Sequence, residues 1–241
     1  MADYQNAVRR ESAAGADIDV GLQAYMTKVY TLMGVAMAIT GAVAFFVGNS
    51  PALLQAIFGS PLKWVAMFAP LAFVFLFSAT INRMSAATAQ IVFWAFAAVM
   101  GVSISFIFAV YTGASIAQTF FVTAIAFLGL SLYGYTTKRD LSGMGAFLIM
   151  GVIGLIVASI VNIFLASSAL QFAISVLGVL IFAGLTAYDT QRLKNEYIHF
   201  SRMGAEGAAY LAKGAIMGAL SLYLNFLNMF MFLLQFLGNR E

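Results

Sequence analysis

One carboxylate in this chain is attached to an apolar stretch. Asp189 directly follows residues 181–188, which are mostly apolar. A charged side chain within the hydrocarbon of a membrane costs about 2.5–3.5 kcal/mol or more, so such residues are rare and usually functional. The other acidic residues lie in the chain ends or between the apolar runs: Asp3, Glu11, Asp17, Asp19, Asp140, Glu196, Glu206 and Glu241. Asp189 is therefore the first candidate for a functional group, and its charge must be hydrated, paired or neutralised.

Arg83 is a candidate partner for Asp189. The two residues end the second and the sixth apolar runs, and alternating spans would place them at similar depth on one side of a membrane. One interpretation is an inward-facing, ionisable latch that Arg83 holds closed. The other is a solvated carboxylate at the interface, offset by Arg192 or Lys194, with Arg83 acting as a snorkelling anchor.

A second polar feature lies in the last apolar run. Ser221, Asn225 and Asn228 stand at i, i+4 and i+7, which is the spacing of one helical face. Asn225 lies about 16 Å along a helix from Gly214, close to the middle of a bilayer. The three side chains either form hydrogen bonds between helices, each worth about 0.6 kcal/mol, or line an ion path.

An enzymatic function is not expected. The chain has no cysteine and a single histidine, His199, which lies in a polar segment. Aspartyl proteolysis within a membrane needs two carboxylates that share a proton, and only Asp189 is available. Serine or metal-dependent proteolysis would need a histidine within a span. We therefore predict no catalytic residue and no cofactor.

The elements that position these residues are membrane-spanning segments. The chain has 241 residues, of which 63% are hydrophobic and 9% charged, and its mean hydropathy is +0.95. A soluble protein carries about 25% charged residues, so the composition predicts an integral membrane protein. The net charge of +3 is too small to indicate a nucleic-acid partner.

Seven apolar runs are long enough to cross a bilayer as helices, each of which needs about 20 residues. Barrel strands would be about 10 residues long and would alternate in polarity. We predict an all-α integral membrane protein, a seven-transmembrane-helix bundle over residues 25–241, preceded by a polar, cytoplasmic tail over residues 1–24. The predicted spans are about 29–48, 62–82, 87–111, 116–136, 144–166, 170–189 and 214–237. A long polar connection is expected at 190–213.

Pro70 interrupts the second run. A proline within a helix frees a backbone carbonyl and bends the helix. Ser78 and Ser103 are candidates to hydrogen-bond the freed group.

Positive charge predicts the orientation. With seven spans, the N-terminus shares a side with the second, fourth and sixth connections. That side carries ten cationic residues: Arg9, Arg10, Lys28, Arg83, Lys138, Arg139, Arg192, Lys194, Arg202 and Lys213. The other side carries Lys63 and Arg240. Because cytoplasmic connections are rich in Lys and Arg, the N-terminus is predicted to be cytoplasmic and the C-terminus to lie outside.

Three stretches together resemble the bacterial branch of the Bax inhibitor-one family, also called the transmembrane BAX-inhibitor-motif family. They are residues 131–143 (SLYGYTTKRDLSG), 184–191 (GLTAYDTQ) and 218–230 (GALSLYLNFLNMF). The resemblance covers nearly the whole chain after about residue 20 and agrees with the seven spans. It implies a protein of the bacterial inner membrane with the last helix near the centre of the bundle.

The resemblance also implies a pH-dependent calcium leak. In the family, two aspartates on the last two spans sense pH, and an arginine on the second span holds the closed state. Asp189 matches the first aspartate and Arg83 the arginine, whereas Asn225 stands at the place of the second aspartate. Asp189 and Asn225 are therefore expected to contact calcium only transiently and weakly. Gating is expected at lower pH than with two carboxylates, because their mutual repulsion is absent.

An alternative function remains open. Some bacterial members of the family instead modulate a membrane-anchored protease. The chain would then be a non-conducting regulator of such a protease or of a stress response, contacting it through residues 190–213 or the N-terminal tail. The expected partners are calcium ions and the lipid bilayer in the first case and a membrane protease in the second.

Overall fold

The structure is a computed structural model that describes residues 2–239, with side chains from residue 18 onward. Its elements are α1 (Ala2–Gly48), α2 (Pro51–Phe58), α3 (Leu62–Thr80), α4 (Ala86–Ile104), α5 (Gly113–Thr136), α6 (Ser142–Leu165), α7 (Ser168–Phe200) and α8 (Gly204–Leu237). Short 3-10 turns extend α3 over Ile81–Arg83 and α4 over Ser105–Ala109. Seven of these helices, all except α2, are long and apolar enough to cross a membrane, which confirms the predicted all-α, seven-span architecture.

Small hydroxyl residues start several of the spanning helices. The side chain of Ser85 accepts a hydrogen bond from Thr88 N at 3.1 Å at the start of α4, and Thr112 accepts one from Ser115 N at 3.2 Å at the start of α5. Ser167 accepts one from Leu170 N at 3.3 Å before α7. Such caps satisfy backbone donors at the start of a helix that would otherwise be free. They therefore begin these three helices within a few residues of the predicted span starts.

The expected polar connection at 190–213 is wrong. α7 continues to Phe200 and α8 begins at Gly204, so only residues 201–203 join them. The added turns of α7 remain helical because they pack: the Tyr197 ring lies 5.3 Å from that of Tyr25 on α1, and the Phe200 ring lies 3.8 Å from that of Tyr210 on α8. Residues 190–200 therefore extend the bundle as part of α7.

The N-terminal helix also begins before the predicted first span. α1 runs without a break across the expected boundary between residues 24 and 25, and Leu22 is already buried. The side chains of residues 1–17, most of the predicted tail, lie outside the described residues.

α8 is the innermost helix. Within its apolar stretch of 18 residues 61% are buried, compared with 11% in α6, and α8 packs against α1, α4, α5 and α7. One buried contact of α8 is polar: the Tyr223 hydroxyl lies 2.6 Å from Thr40 Oγ1 on α1, which donates to the Ala97 carbonyl on α4 at 2.8 Å. The expected position of the last helix near the centre is confirmed.

The outer helices α3 and α6 each pack mainly on one neighbour, α3 on α4 and α6 on α7. Within α3, Pro70 leaves the carbonyl of Ala66 without its helical partner, and the Ser103 hydroxyl of α4 donates to that oxygen at 2.6 Å. The expected hydrogen bond of Ser103 to the freed carbonyl is thus confirmed. Ser78 is exposed, and it is Ser103 that donates to this carbonyl. A cleft between α3 and α6 reaches inward to α8.

Candidate functional site

Asp189 is buried on α7, with 7% of its surface exposed, and its carboxylate faces α8. Asn225 Nδ2 on α8 donates to Asp189 Oδ2 at 2.7 Å, and Arg192 Nη2 lies 3.0 Å from Asp189 Oδ1. The carboxylate is therefore inward-facing, as in the first interpretation, but its cation is Arg192, as in the second. A carboxylate buried in this way needs both contacts, because an unpaired charge in a low-dielectric interior is strongly disfavoured.

The expected pairing of Arg83 with Asp189 is wrong in this structure. Arg83 is exposed at the end of the 3-10 turn after α3, and the ion pairs among the described side chains all involve Arg192. The physical reason is helix packing: α3 lies mainly against α4, whereas Arg192 sits three residues after Asp189 on the same helical face. The role of Arg83 in holding a closed state stays a prediction.

Arg192 is held by several groups besides Asp189. Its Nη2 lies 3.4 Å from the Ser221 hydroxyl oxygen, and its Nε lies 3.7 Å from Glu196 Oε1. The guanidinium also lies over the Tyr188 ring, 5.9 Å from the centroid. Glu196 was expected in a connecting segment. Its i+7 spacing from Asp189 would have placed both carboxylates beside Arg192 once α7 was continued past residue 189.

The predicted polar face of α8 lines one cavity. Ser221, Asn225 and Asn228 border a space of about 670 Å³ together with Asp189 and Arg192. The other walls are mostly apolar and come from α3, α6 and α7, including Leu71, Ile149, Ile156, Phe182 and Phe232. Both predicted groups, the acidic residue and the polar stripe, therefore meet at one site. In this chain Asn228 donates from Nδ2 to the Leu224 carbonyl at 2.8 Å.

The expected calcium contacts through Asp189 and Asn225 stay a prediction. Both carboxylate oxygens already accept hydrogen bonds or pair with Arg192, and Asn225 turns its amide nitrogen to the carboxylate. Among the described side chains, no three His, Cys, Asp or Glu residues are grouped so that they could hold a metal ion.

Gln191 holds the connection between α5 and α6, a role that no sequence pattern predicted. Its Oε1 accepts from Leu141 N at 2.8 Å and its Nε2 donates to the Arg139 carbonyl at 2.8 Å. Asp140, in the same connection, is exposed, and a hydrogen bond from Ser142 holds the pKa of its carboxyl below the usual value. Asp140 lies outside the spans, which makes it a suitable control carboxylate.

Glycine allows α5 to approach α7 beside the site. A Cβ at Gly134 would collide with the carbonyl oxygen of Ala187, two residues before Asp189. Gly218 likewise allows α8 to approach α7, because a Cβ there would collide with the Leu193 side chain. Both glycines thus let neighbouring helices pack closely against α7 near Asp189.

The comparisons with known proteins agree with this architecture. The model of the family described as inhibitor of apoptosis-promoting Bax1 matches residues 22–241. The chain is 46% identical to the inner membrane protein YbhL of Escherichia coli strain K12 over 92% of this chain and 94% of the relative. It is 48% identical to an uncharacterized protein of Caulobacter vibrioides over 95% and 94% of the two chains. The chain belongs to the Bax inhibitor-one family.

Proposed function

We propose that this protein is a pH-sensitive, calcium-permeable leak channel of the bacterial inner membrane. The observation that carries the proposal is the ion pair of buried Asp189 with the partly exposed Arg192 in the wall of a cavity that the polar face of the central helix also lines. Ionisable groups within a spanning bundle commonly mark ion pathways. The inner membrane is supported by the relative YbhL, and a cytoplasmic N-terminus by the ten-to-two distribution of cations.

Asp189 is the proposed pH sensor. Protonation removes the charge that Arg192 and Asn225 both contact, so it weakens two of the bonds that tie the site together. Arg192 keeps a partner after this step, because Glu196 lies 3.7 Å from its Nε. The release of Asp189 therefore leaves no isolated guanidinium, and the link between α7 and α8 loosens.

The cation would move along the polar face of α8. Oxygens of Ser221, Asn225 and Asn228 are the ligand type that calcium prefers, and Asp189 supplies the one carboxylate among the described residues that border the cavity. A single carboxylate holds the ion weakly, which suits passage. Arg83 follows the C-terminal end of α3. A movement of α3 would change the width of the cleft between α3 and α6. On this proposal the protein is not an enzyme and needs no cofactor.

Calcium flux into liposomes that contain the purified protein tests the proposal. Wild type is expected to conduct at acidic pH and to close near neutral pH. Asp189→Asn removes the charge permanently and should make the flux independent of pH. Asp140→Asn is the matched control, because Asp140 is exposed, already ionised at these pH values and outside the spans.

The absence of flux in wild type at every pH would overturn the channel. That result would favour the alternative, a non-conducting regulator of a membrane-anchored protease or stress response. Its contact surface would then be the N-terminal tail or the exposed residues around the connection of α7 with α8, among them Arg202, Glu206 and Tyr210.

A further inference from the structure

The polar stripe of α8 continues beyond the site described above. Ser221, Asn225 and Asn228 are followed at helical spacing by Phe232 and then by Gln235, at i+11 and i+14 from Ser221. Phe232 is thus the single apolar side chain in a stripe of five positions. The stripe runs from the Arg192 end of the bundle toward the opposite end, where α6 joins α7.

Gln235 belongs to a second polar cavity at that opposite end. The cavity has a volume of about 480 Å³ and is bordered by Asn162, Gln171, Ser175 and Gln235. Their amides are linked: Gln171 Nε2 donates to Gln235 Oε1 at 2.7 Å, and Asn162 Nδ2 donates to Gln171 Oε1 at 3.1 Å. We call this space the outer cavity and the one beside Asp189 the inner cavity.

The two cavities nearly meet. Neighbouring residues of α6 border them, Ile163 the inner cavity and Asn162 the outer one. On α8, Phe232 borders the inner cavity and Gln235 the outer one, a separation of three residues or about 4.5 Å along the helix. Along α8, the residues that border the two cavities are therefore only about one helical turn apart.

Phe232 stands at the end of that turn that borders the inner cavity. Its ring stacks on Phe182 of α7 with centroids 6.0 Å apart and an angle of 24° between the planes. Gly178, one turn along α7, leaves the room that the ring occupies, because a Cβ there would lie 2.5 Å from Phe232 Cδ2. The ring is thus held between α7 and α8 where the inner cavity comes nearest to Gln235.

We propose that the inner and outer cavities are the two halves of one path along α8, and that Phe232, stacked on Phe182, is the hydrophobic barrier that closes it. The proposal rests on the proposed function and adds the position of the closed point. A short apolar constriction between wet spaces stops ions because water leaves it, without any charged gate. The amide oxygens of the outer cavity would receive the cation on the far side.

The chain contains no cysteine, so single thiols can report on the barrier. Asn228→Cys places a thiol in the inner cavity and Gln235→Cys places one in the outer cavity. Intact spheroplasts at neutral pH are treated with a membrane-impermeant methanethiosulfonate reagent, which reaches the chain only from outside. We expect the thiol at position 235 to react and the thiol at position 228 to be protected. Adding Phe232→Ala should expose the thiol at position 228 to the reagent.

Two variants keep this test specific. Phe232→Leu retains an apolar barrier and should leave position 228 protected. Phe164→Ala removes an aromatic side chain at the same end of the bundle, but one that is 83% exposed and touches neither cavity, and should also leave it protected. A melting temperature for each purified variant shows that the bundle is folded.

The outcomes separate the barrier from the channel. Protection of position 228 in folded Phe232→Ala, or its labelling without that substitution, overturns the barrier. Exposure at position 228 together with calcium flux at neutral pH supports both the barrier and the channel. Exposure at position 228 without calcium flux in any variant supports the barrier and overturns the channel.

Discussion

Asn225 and Asp189 join the last two helices through a hydrogen bond of 2.7 Å between the amide Nδ2 and the carboxylate Oδ2. Both side chains are buried, and both border the inner cavity. The position where the family resemblance leads one to expect a second carboxylate is therefore a hydrogen-bond donor to the first. A donor stabilises the ionised form of Asp189, whereas a carboxylate in its place would repel it.

The first prediction concerns this exchange. Asn225→Asp is expected to move the midpoint of calcium flux upward by about one pH unit, because two carboxylates at hydrogen-bond distance favour sharing a proton. The measurement is flux into liposomes across a series of pH values. Asn195→Asp adds the same charge at an exposed position of α7 and should leave the midpoint in place. An unchanged midpoint in Asn225→Asp would show that this position is not part of the sensor.

The second prediction separates the two arginines. Arg192→Gln removes the cation that lies 3.0 Å from Asp189 and is expected to raise the midpoint of flux by about one pH unit or more, because the ionised carboxylate loses its nearest positive charge. Arg83→Gln is the matched variant, and on the arrangement seen here it should change the midpoint little. The reverse pattern would mean that Arg83 holds Asp189 in the functional closed state.

The third prediction concerns the bond from Ser103 to the carbonyl that Pro70 frees. Ser103→Ala is expected to lower the free energy of unfolding in detergent by about 0.6 kcal/mol, the usual size of a hydrogen bond between helices in a membrane. Pro70→Ala restores a backbone donor for Ala66, so the loss on Ser103→Ala should become smaller in that background. A double-mutant cycle measures the difference, and equal losses in both backgrounds would rule out the coupling. Ser78→Ala is the control, because Ser78 is exposed.

The fourth prediction concerns the contact of α5 with α7. Gly134→Ala is expected to destabilise the bundle by about 1–3 kcal/mol, since the added methyl group would overlap the Ala187 carbonyl. Gly129→Ala introduces the same group on the same helix into open space, where helix propensity favours alanine. Thermal denaturation of the two variants is compared with wild type. Similar melting temperatures for both would show that the contact with Ala187 tolerates a side chain.

The apolar runs alone were sufficient to predict the seven spans. The bilayer sets how many apolar residues a crossing helix needs, and the length of each run can be read from one segment of the sequence. The polar face of α8 was predictable for the same reason, since Ser221, Asn225 and Asn228 share one helix and its period is fixed. The bond of Ser103 to α3 could be anticipated because a proline creates a defined vacancy. Each of these features depends on a single helix or on a single missing hydrogen-bond donor, so no knowledge of helix packing was needed.

The partner of Asp189 and the closed point of the path depended on the tertiary structure. Arg192 is the partner because α7 remains helical past residue 189, and it remains helical because Tyr197 and Phe200 pack on α1 and α8. Composition predicted a connection there, since polar residues end a span but do not by themselves end a helix. Phe232 likewise looks like any apolar residue until Gly178 and Phe182 are placed beside it. By itself the sequence determined which segments cross the membrane, and only the packing of those segments decided which side chains meet.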